Sequence, residues 1–210
     1  MGRPATHPER EWILVGIAES CAARGYERTG VDDVCAAAGV ERGSFEALFK
    51  DTDDCLAAAM EAAVEEARRR LLAVHFPAKP WAAAVRDGAA VLLGLLAERP
   101  APARMALVEA PAAGGRAAEL YAAGRRELRS FIERGREQAI EKDVPASAAR
   151  AALAGAEELI VGWILAGETR RLGERTGDVA YMLTVPYLGK REALREAGRK
   201  TAFRHLRAVA

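Results

Sequence analysis

The sequence predicts an all-α protein, and three observations carry that prediction. Half of the 210 residues are apolar, Ala and Leu dominate them, and the strand formers Val, Ile, Thr, Tyr and Phe are sparse. Apolar residues recur at helical spacing along most of the chain. Proline and glycine fall between those stretches, where they stop one helix and allow the turn into the next. A chain of this length buries a sizeable core and divides most simply into one small and one larger domain.

Taken in order, the first helix covers 12–23. Ile13, Ile17 and Cys21 lie four apart on one face, and Arg24-Gly25 closes the helix with a glycine just past its end. A second, shorter helix covers 31–38, with Asp32 and Asp33 in the first turn, where the helix dipole favours negative charge. Gly39 permits a tight turn, and 41–48 forms a third short helix. Asp51, Asp53 and Asp54 read as the cap and first turn of a long helix that ends before Pro77; its apolar positions are Leu56, Met60, Val64, Ala67 and Leu71. Further helices fall at about 81–98, 102–110, 115–141, 146–170 and 177–198, with a kink or break expected at Pro186. Residues 100–115, rich in Pro, Ala and Gly, are the expected mobile connection.

The net charge of +1 conceals a strong division along the chain. Residues 1–56 hold 6 Lys+Arg against 11 Asp+Glu, whereas residues 189–210 hold 7 against 2. The basic tail, with Lys190, Arg191, Arg195, Arg199, Lys200, Arg204 and Arg207, reads first as a solvated helix face. Three cysteines, Cys21, Cys35 and Cys55, have neither zinc-site spacing nor the even count of a disulfide framework, which fits a reducing cytoplasm and inert packing. His7, His75 and His205 have no partner at ligand spacing, so neither a metal site nor a cofactor is expected. No long uncharged apolar run or signal-peptide core is present, and the expectation is a cytosolic protein without membrane partners. No nucleophile–base arrangement, phosphate loop or carboxylate pair rises above background; Glu157 and Glu158 are adjacent and diverge by about 100° on a helix. Catalytic residues are therefore not assigned.

The order helix, Gly-Tyr, Thr, helix, Gly-Val turn, short helix, Phe, long helix runs through residues 10–60 without a gap. It is carried by Ala18, Gly25, Tyr26, Thr29, Val31, Val34, Ala38, Gly39, Val40, Gly43, Ser44, Phe45, Phe49 and Leu56. This pattern resembles the N-terminal domain of the TetR family of bacterial transcriptional repressors. The resemblance implies a three-helix helix-turn-helix DNA-binding domain over 1–52, joined by a long helix to a larger helical ligand-binding and dimerisation domain over 53–210. Each matching residue also has a physical reason: Gly25 and Gly39 supply backbone freedom at two turns, and Val31, Val34, Val40, Phe45 and Phe49 form the apolar centre that fixes the helix angles.

In such a domain the third helix enters the major groove and the second crosses the phosphate backbone. The matching positions make Arg42, Gly43, Ser44 and Phe45 the DNA-reading segment, with Arg42 best suited to bidentate contact with guanine. Thr29 and Lys50 are candidates for phosphates, and Arg3 with Arg10 for a groove-binding arm. The chain departs from the family where a phosphate-touching tyrosine usually follows the position of Phe45: here it is Glu46. Thr52 stands where a lysine is typical, and Gly30 where Ser or Thr would cap the second helix. The stretch GVERGSFEALFKDTDD, residues 39–54, thus carries five acids against two bases, so binding rests on few local donors.

For the larger part, the resemblance implies a small-molecule effector and a homodimer formed through the last two long helices. Trp81, Met105, Tyr121, Phe131 and Trp163 are candidate pocket residues, with Glu109 or Glu157 anchoring a polar or cationic group. Leu153, Ile160 and Ile164, with the small residues Gly155, Ala156 and Gly167, are the candidate dimer face. The expected function is a ligand-responsive repressor that binds operator DNA as a dimer. The competing reading is a helical ligand-binding or protein-interaction module of the same fold that has lost DNA binding.

Overall fold

The structure is a computed structural model that describes residues 7–73 and 79–199. Among the described residues every regular element is helical. The helices are α1 (His7–Arg24), α2 (Val31–Ala38), α3 (Arg42–Glu46), α4 (Thr52–Leu72), α5 (Trp81–Glu98), α6 (Pro100–Arg104), α7 (Ala110–Ala113), α8 (Gly115–Glu133), α9 (Ala148–Leu165) and α10 (Thr176–Ala197). A π-helical turn, Met105–Glu109, joins α6 to α7. Arg3, and Lys200, Arg204 and Arg207 of the basic tail, lie outside the described residues. The chain divides into two compact units: one runs through Glu66 and resumes over Arg99–Gly124, and the other holds Ala67–Glu98 and the chain from Arg125. The first unit therefore passes the 1–52 boundary and draws in a segment from mid-sequence.

In the first unit Ile13, Ile17 and Cys21 of α1 meet Val34 of α2, Phe45 of α3 and Leu56 of α4 in one buried core. Gly16 lets α1 and α2 approach closely, because a Cβ there would stand 2.8 Å from the Val34 carbonyl oxygen. Ser20 Oγ donates to the Asp33 carbonyl at 3.2 Å and ties the same two helices. Gly39, at φ 65°, ends α2: its N–H donates to Ala36 O and that of Val40 to Cys35 O, closing the carbonyls the helix leaves open. Asp51 Oδ1 accepts the Asp54 N–H at 2.9 Å, Asp54 Oδ2 accepts the Lys50 N–H at 3.2 Å, and Asp53 accepts the Tyr26 phenol. All three aspartates are thus occupied in building the start of α4.

Residues 100–115 were expected to be a mobile connection around a helix at about 102–110; helix runs through 100–113. Pro100 and Pro111 sit in first turns, where a missing N–H removes no helix bond, so the proline-rich composition marks helix starts rather than a loop. Met105, Ala106 and Ala110 are buried in the same core as α1.

In the second unit Trp81 opens α5. Its indole Nε1 donates to Phe131 O at 3.1 Å, its backbone N–H donates to Gln138 Oε1 at 3.0 Å, and its ring stands edge-on to Tyr187 at 5.0 Å. A charged network lies beneath: Arg86 donates to Glu196 and to Asp87 Oδ1 (2.9 Å), and Lys79 donates to Asp87 Oδ2 (2.7 Å). Buried charges are tolerated only when so paired, and here they fix the register of α10 on α5. The expected break at Pro186 falls instead at Gly189, whose φ of 71° and ψ of 165° are non-helical. Proline keeps a helical φ, whereas only glycine takes this positive one without strain. The Tyr187 carbonyl then accepts the N–H groups of Ile140 (2.9 Å) and Glu141 (3.1 Å).

Candidate nucleic-acid interface

The third helix is only five residues long, and what orients it is the inward side chain at its centre. Phe45 is fully buried and its ring lies 5.6 Å from that of Phe49. Phe45 is therefore a core residue whose side chain is out of a ligand's reach; its burial is what turns Arg42, Gly43 and Glu46 outward. Arg42 and Gly43 are exposed, and a Cβ at Gly43 would meet nothing within 4 Å. The surface at the front of α3 is open to a ligand.

Arg42 is not idle on that surface. Its Nε donates to Glu46 Oε1 at 2.7 Å and its Nη1 to Asp32 Oδ1 at 2.7 Å. The side chains are 57%, 81% and 58% exposed for Arg42, Asp32 and Glu46, so the trio sits in water. Glu46 first, then Asp32, shifts the guanidinium upward and holds it more firmly charged. Asp32 was missed as a member of this site: ten residues from Arg42, it carries no periodic signal, and at the start of α2 it reads simply as a dipole-favoured acid.

Ser44 Oγ donates to Glu9 Oε1 at 3.4 Å, a contact that links α3 to the first turn of α1. Thr29 is 7% exposed, and its Oγ1 donates to the Gly25 carbonyl at 2.9 Å. The hydroxyl thus points inward onto the turn at Tyr26–Arg28, whose backbone bonds run from Arg28 N–H to Gly25 O (3.4 Å) and from Thr29 N–H to Tyr26 O (2.9 Å). Lys50 is exposed, and among the described residues no acid pairs with its ammonium. Arg10 stacks over Phe49, 5.9 Å from the ring centroid, and Arg28 is exposed with its Nε on the Arg24 carbonyl at 2.7 Å. Arg24 itself is paired to Asp33 at 2.5 Å.

The expected pocket residues separate. Met105 is buried in the first unit's core and Tyr121 packs against it. Glu109, whose side chain is 12% exposed, accepts the Tyr26 backbone N–H at 3.0 Å and faces Arg104 at 3.3 Å. It secures the turn before α2 rather than lining a cavity. Trp81, Phe131 and Trp163 lie in the second unit. Phe131 carries Arg134 over its ring at 5.1 Å, Trp163 carries Arg175 at 5.3 Å, and Glu157 pairs with Arg125 at 2.7 Å. An open groove of about 640 Å³ in that unit is lined by Arg129, Ser130, Glu133, Ala146, Ser147 and Arg150, none of them an expected pocket residue.

Of the expected dimer face, Leu153 and Ile160 are half-buried, Gly167 is exposed at φ 78°, and Ile164 is buried. Ile164 shares an inward stripe of α9 with Ala149, Ala152 and Ala156, so it belongs to the unit's own core. The exposed apolar side chains nearby in sequence are Leu165 on α9 and Leu194 on α10.

Residues 13–59 match the model of the bacterial regulatory proteins, tetR family. These residues are similar to the family's N-terminal domain. No curated protein matches the sequence. Among solved structures, the fatty acid degradation regulator FadR from Bacillus halodurans is similar over 89% of this chain and 98% of its own, with TM-score 0.74 and 16% identity. FadR from Bacillus subtilis, solved in complex with stearoyl-CoA, is similar over 84% and 98%, with TM-score 0.65 and 18% identity. SmeT, the repressor of the Stenotrophomonas maltophilia multidrug efflux pump SmeDEF, is similar over 88% and 92%, with TM-score 0.66 and 21% identity. The TetR-type fold, a helix-turn-helix followed by a larger helical region, thus extends across most of the chain. Among the described residues no helix is long and apolar enough to cross a membrane, and no group of His, Cys, Asp and Glu is placed to hold a metal.

Proposed function

We propose that this chain is a cytoplasmic, ligand-responsive transcriptional repressor that binds operator DNA as a homodimer through α2 and α3. The observation that carries the reading is the open front of α3, where Arg42, Gly43 and Ser44 are presented by the buried Phe45 anchor of a TetR-like domain. Arg42 reads a base edge, Gly43 lets the backbone approach, and Lys50 with Arg28 meets phosphate. The dimer forms through α9 and α10, with Leu153, Ile160, Leu165 and Leu194 among the apolar side chains it covers. A small-molecule effector favours a conformation in which the paired reading helices no longer match successive major grooves, and affinity falls by the differential binding energy. Similar folds hold stearoyl-CoA in FadR and triclosan in SmeT, which supports an effector with a large apolar part.

A second reading, a module of this fold that no longer binds DNA, is favoured by one feature: Arg42 is already held by two carboxylates. Titration of a labelled random duplex, and of the segment upstream of its own gene, separates the two. Binding that weakens steeply from about 50 to about 200 mM salt supports the repressor. Absence of binding at the lower salt supports the module and removes the repressor reading.

A further inference from the structure

The inference rests on the DNA-binding reading of α3 and concerns what the two acids beside Arg42 do. A guanidinium offers two planar donor pairs, Nε with Nη2 and Nη1 with Nη2. Glu46 occupies Nε and Asp32 occupies Nη1, so each pair has one nitrogen engaged. Glu46 comes from the end of α3 and Asp32 from the start of α2, so the two carboxylates approach from different helices and fix the side chain between them. Around Arg42 the local charge is negative by one, since two carboxylates surround one guanidinium. A phosphate approaching Arg42 must also approach both carboxylates, and like charges repel over the distances of an ion pair. A guanine edge is formally neutral, its O6 and N7 carrying only partial charge, and meets much less of that repulsion.

We propose that Asp32 and Glu46 are specificity-determining residues: by clamping Arg42 they exclude DNA phosphates from it, and yield a donor pair only to a base edge. The clamp lowers non-specific binding more than specific binding. An acidic reading surface is then a filter against the wrong part of DNA rather than a defect. Because all three side chains are more than half exposed, each bond is weak enough to exchange when a base edge competes for the guanidinium.

The test is equilibrium binding of the full-length protein to a labelled random-sequence duplex across about 50–200 mM salt, with E46Q, E41Q and R42A variants. E41Q is the charge control: Glu41 precedes Arg42 and is exposed, and it does not appear among the partners of Arg42. The expected result is that E46Q binds random duplex about three- to fivefold more tightly at low salt, the scale of an exposed ion pair released. Its log-affinity against log-salt slope steepens by about 0.9, one added phosphate contact. E41Q should change neither by more than its smaller share of long-range charge. In an R42A background the effect of E46Q should vanish, and duplexes that wild type enriches from a random pool should lose preference over random DNA in E46Q. Equal effects of E46Q and E41Q, or an E46Q effect that survives in R42A, would overturn the clamp alone. Failure of both wild type and E46Q to bind any duplex overturns the DNA-binding reading and the clamp with it. E46Q binding where wild type binds no duplex would show the acids abolishing binding rather than filtering it, and overturns the proposal together with the repressor reading.

Discussion

Replacing Gly16 by alanine would set a Cβ 2.8 Å from the Val34 carbonyl oxygen, 2.9 Å from the Ala38 Cβ and 3.0 Å from the Ala38 nitrogen. Two of those atoms are backbone of α2, so no side-chain rotation relieves the contact. Carbon contacts settle at about 3.5–4.0 Å, so α1 and α2 must separate by roughly 0.5–1 Å. Ile13, Ile17 and Val34, all fully buried, would lose packing as they part. Overpacking of this kind costs about 1–3 kcal/mol, and alanine recovers about 1 kcal/mol over glycine in a helix. The net expectation is a loss of about 0–2 kcal/mol, from the same two terms, with α2 and the α3 it carries displaced. Gly43→Ala is the contrast: nothing lies within 4 Å of its Cβ, so the change should be neutral or stabilising by about 0.5–1 kcal/mol. Urea unfolding followed by circular dichroism gives both values, and amide exchange in α1 and α2 locates the loss. Stabilisation of Gly16→Ala by the full propensity gain, about 1 kcal/mol, would refute the close-approach argument.

Four further outcomes are expected. Glu109→Gln removes the charge on the acceptor of the Tyr26 N–H, and should lower stability by about 1 kcal/mol and speed amide exchange at Tyr26–Thr29; unchanged protection there counts against the bond. Burial pushes the thiols of Cys21 up to about 11 and Cys55 up to about 12, and raises Cys35, so iodoacetamide should label native protein slowly near pH 8 and urea-unfolded protein fast. Since a raised folded value means that the unfolded chain ionises first, this stabilisation is whole below pH 9.0 and is lost as pH climbs to about 12. Tyr26, moved from 10.0 to about 12 by burial and then by Asp53, acts in the same direction, and a urea midpoint equal at about pH 8 and about pH 10.5 would contradict both. Gly189→Ala forces alanine to φ 71° and displaces Glu141, for an expected loss of about 1–2 kcal/mol in thermal unfolding; a wild-type melting temperature would show that the turn relaxes freely.

The helix order was legible because spacing and punctuation are local signals. α2 falls on 31–38 and α5 on 81–98, the very ranges the pattern marks. The aspartates at 51, 53 and 54 read as a cap and first turn, and Asp51 does cap α4. What escaped was set by tertiary contact. Pro100, Pro102 and Pro111 look alike in a loop and in a first helical turn, and only the burial of Met105 and Ala110 decides between them. Phe45 matched a recognition motif, but a motif does not tell a residue that touches DNA from one that aims its neighbours. Thr29 illustrates the same limit, since its hydroxyl direction depends on the Gly25 carbonyl. Asp32 joins Arg42 across a turn, where neither helical period links them.

The bond from Glu109 to Tyr26 spans 83 residues and seals a core whose other walls are α1 to α4. During synthesis, at roughly 5–20 residues per second, the three short helices leave the ribosome several seconds before Met105, Ala110 and Ala117 arrive to cover them. Through that interval their apolar faces have no permanent cover, and the nascent chain must carry α5 past them before the unit can close. The nascent helix-turn-helix head is thus completed late, by its own distal sequence, and a gene fragment that stops after α4 would yield helices without the wall they fold against.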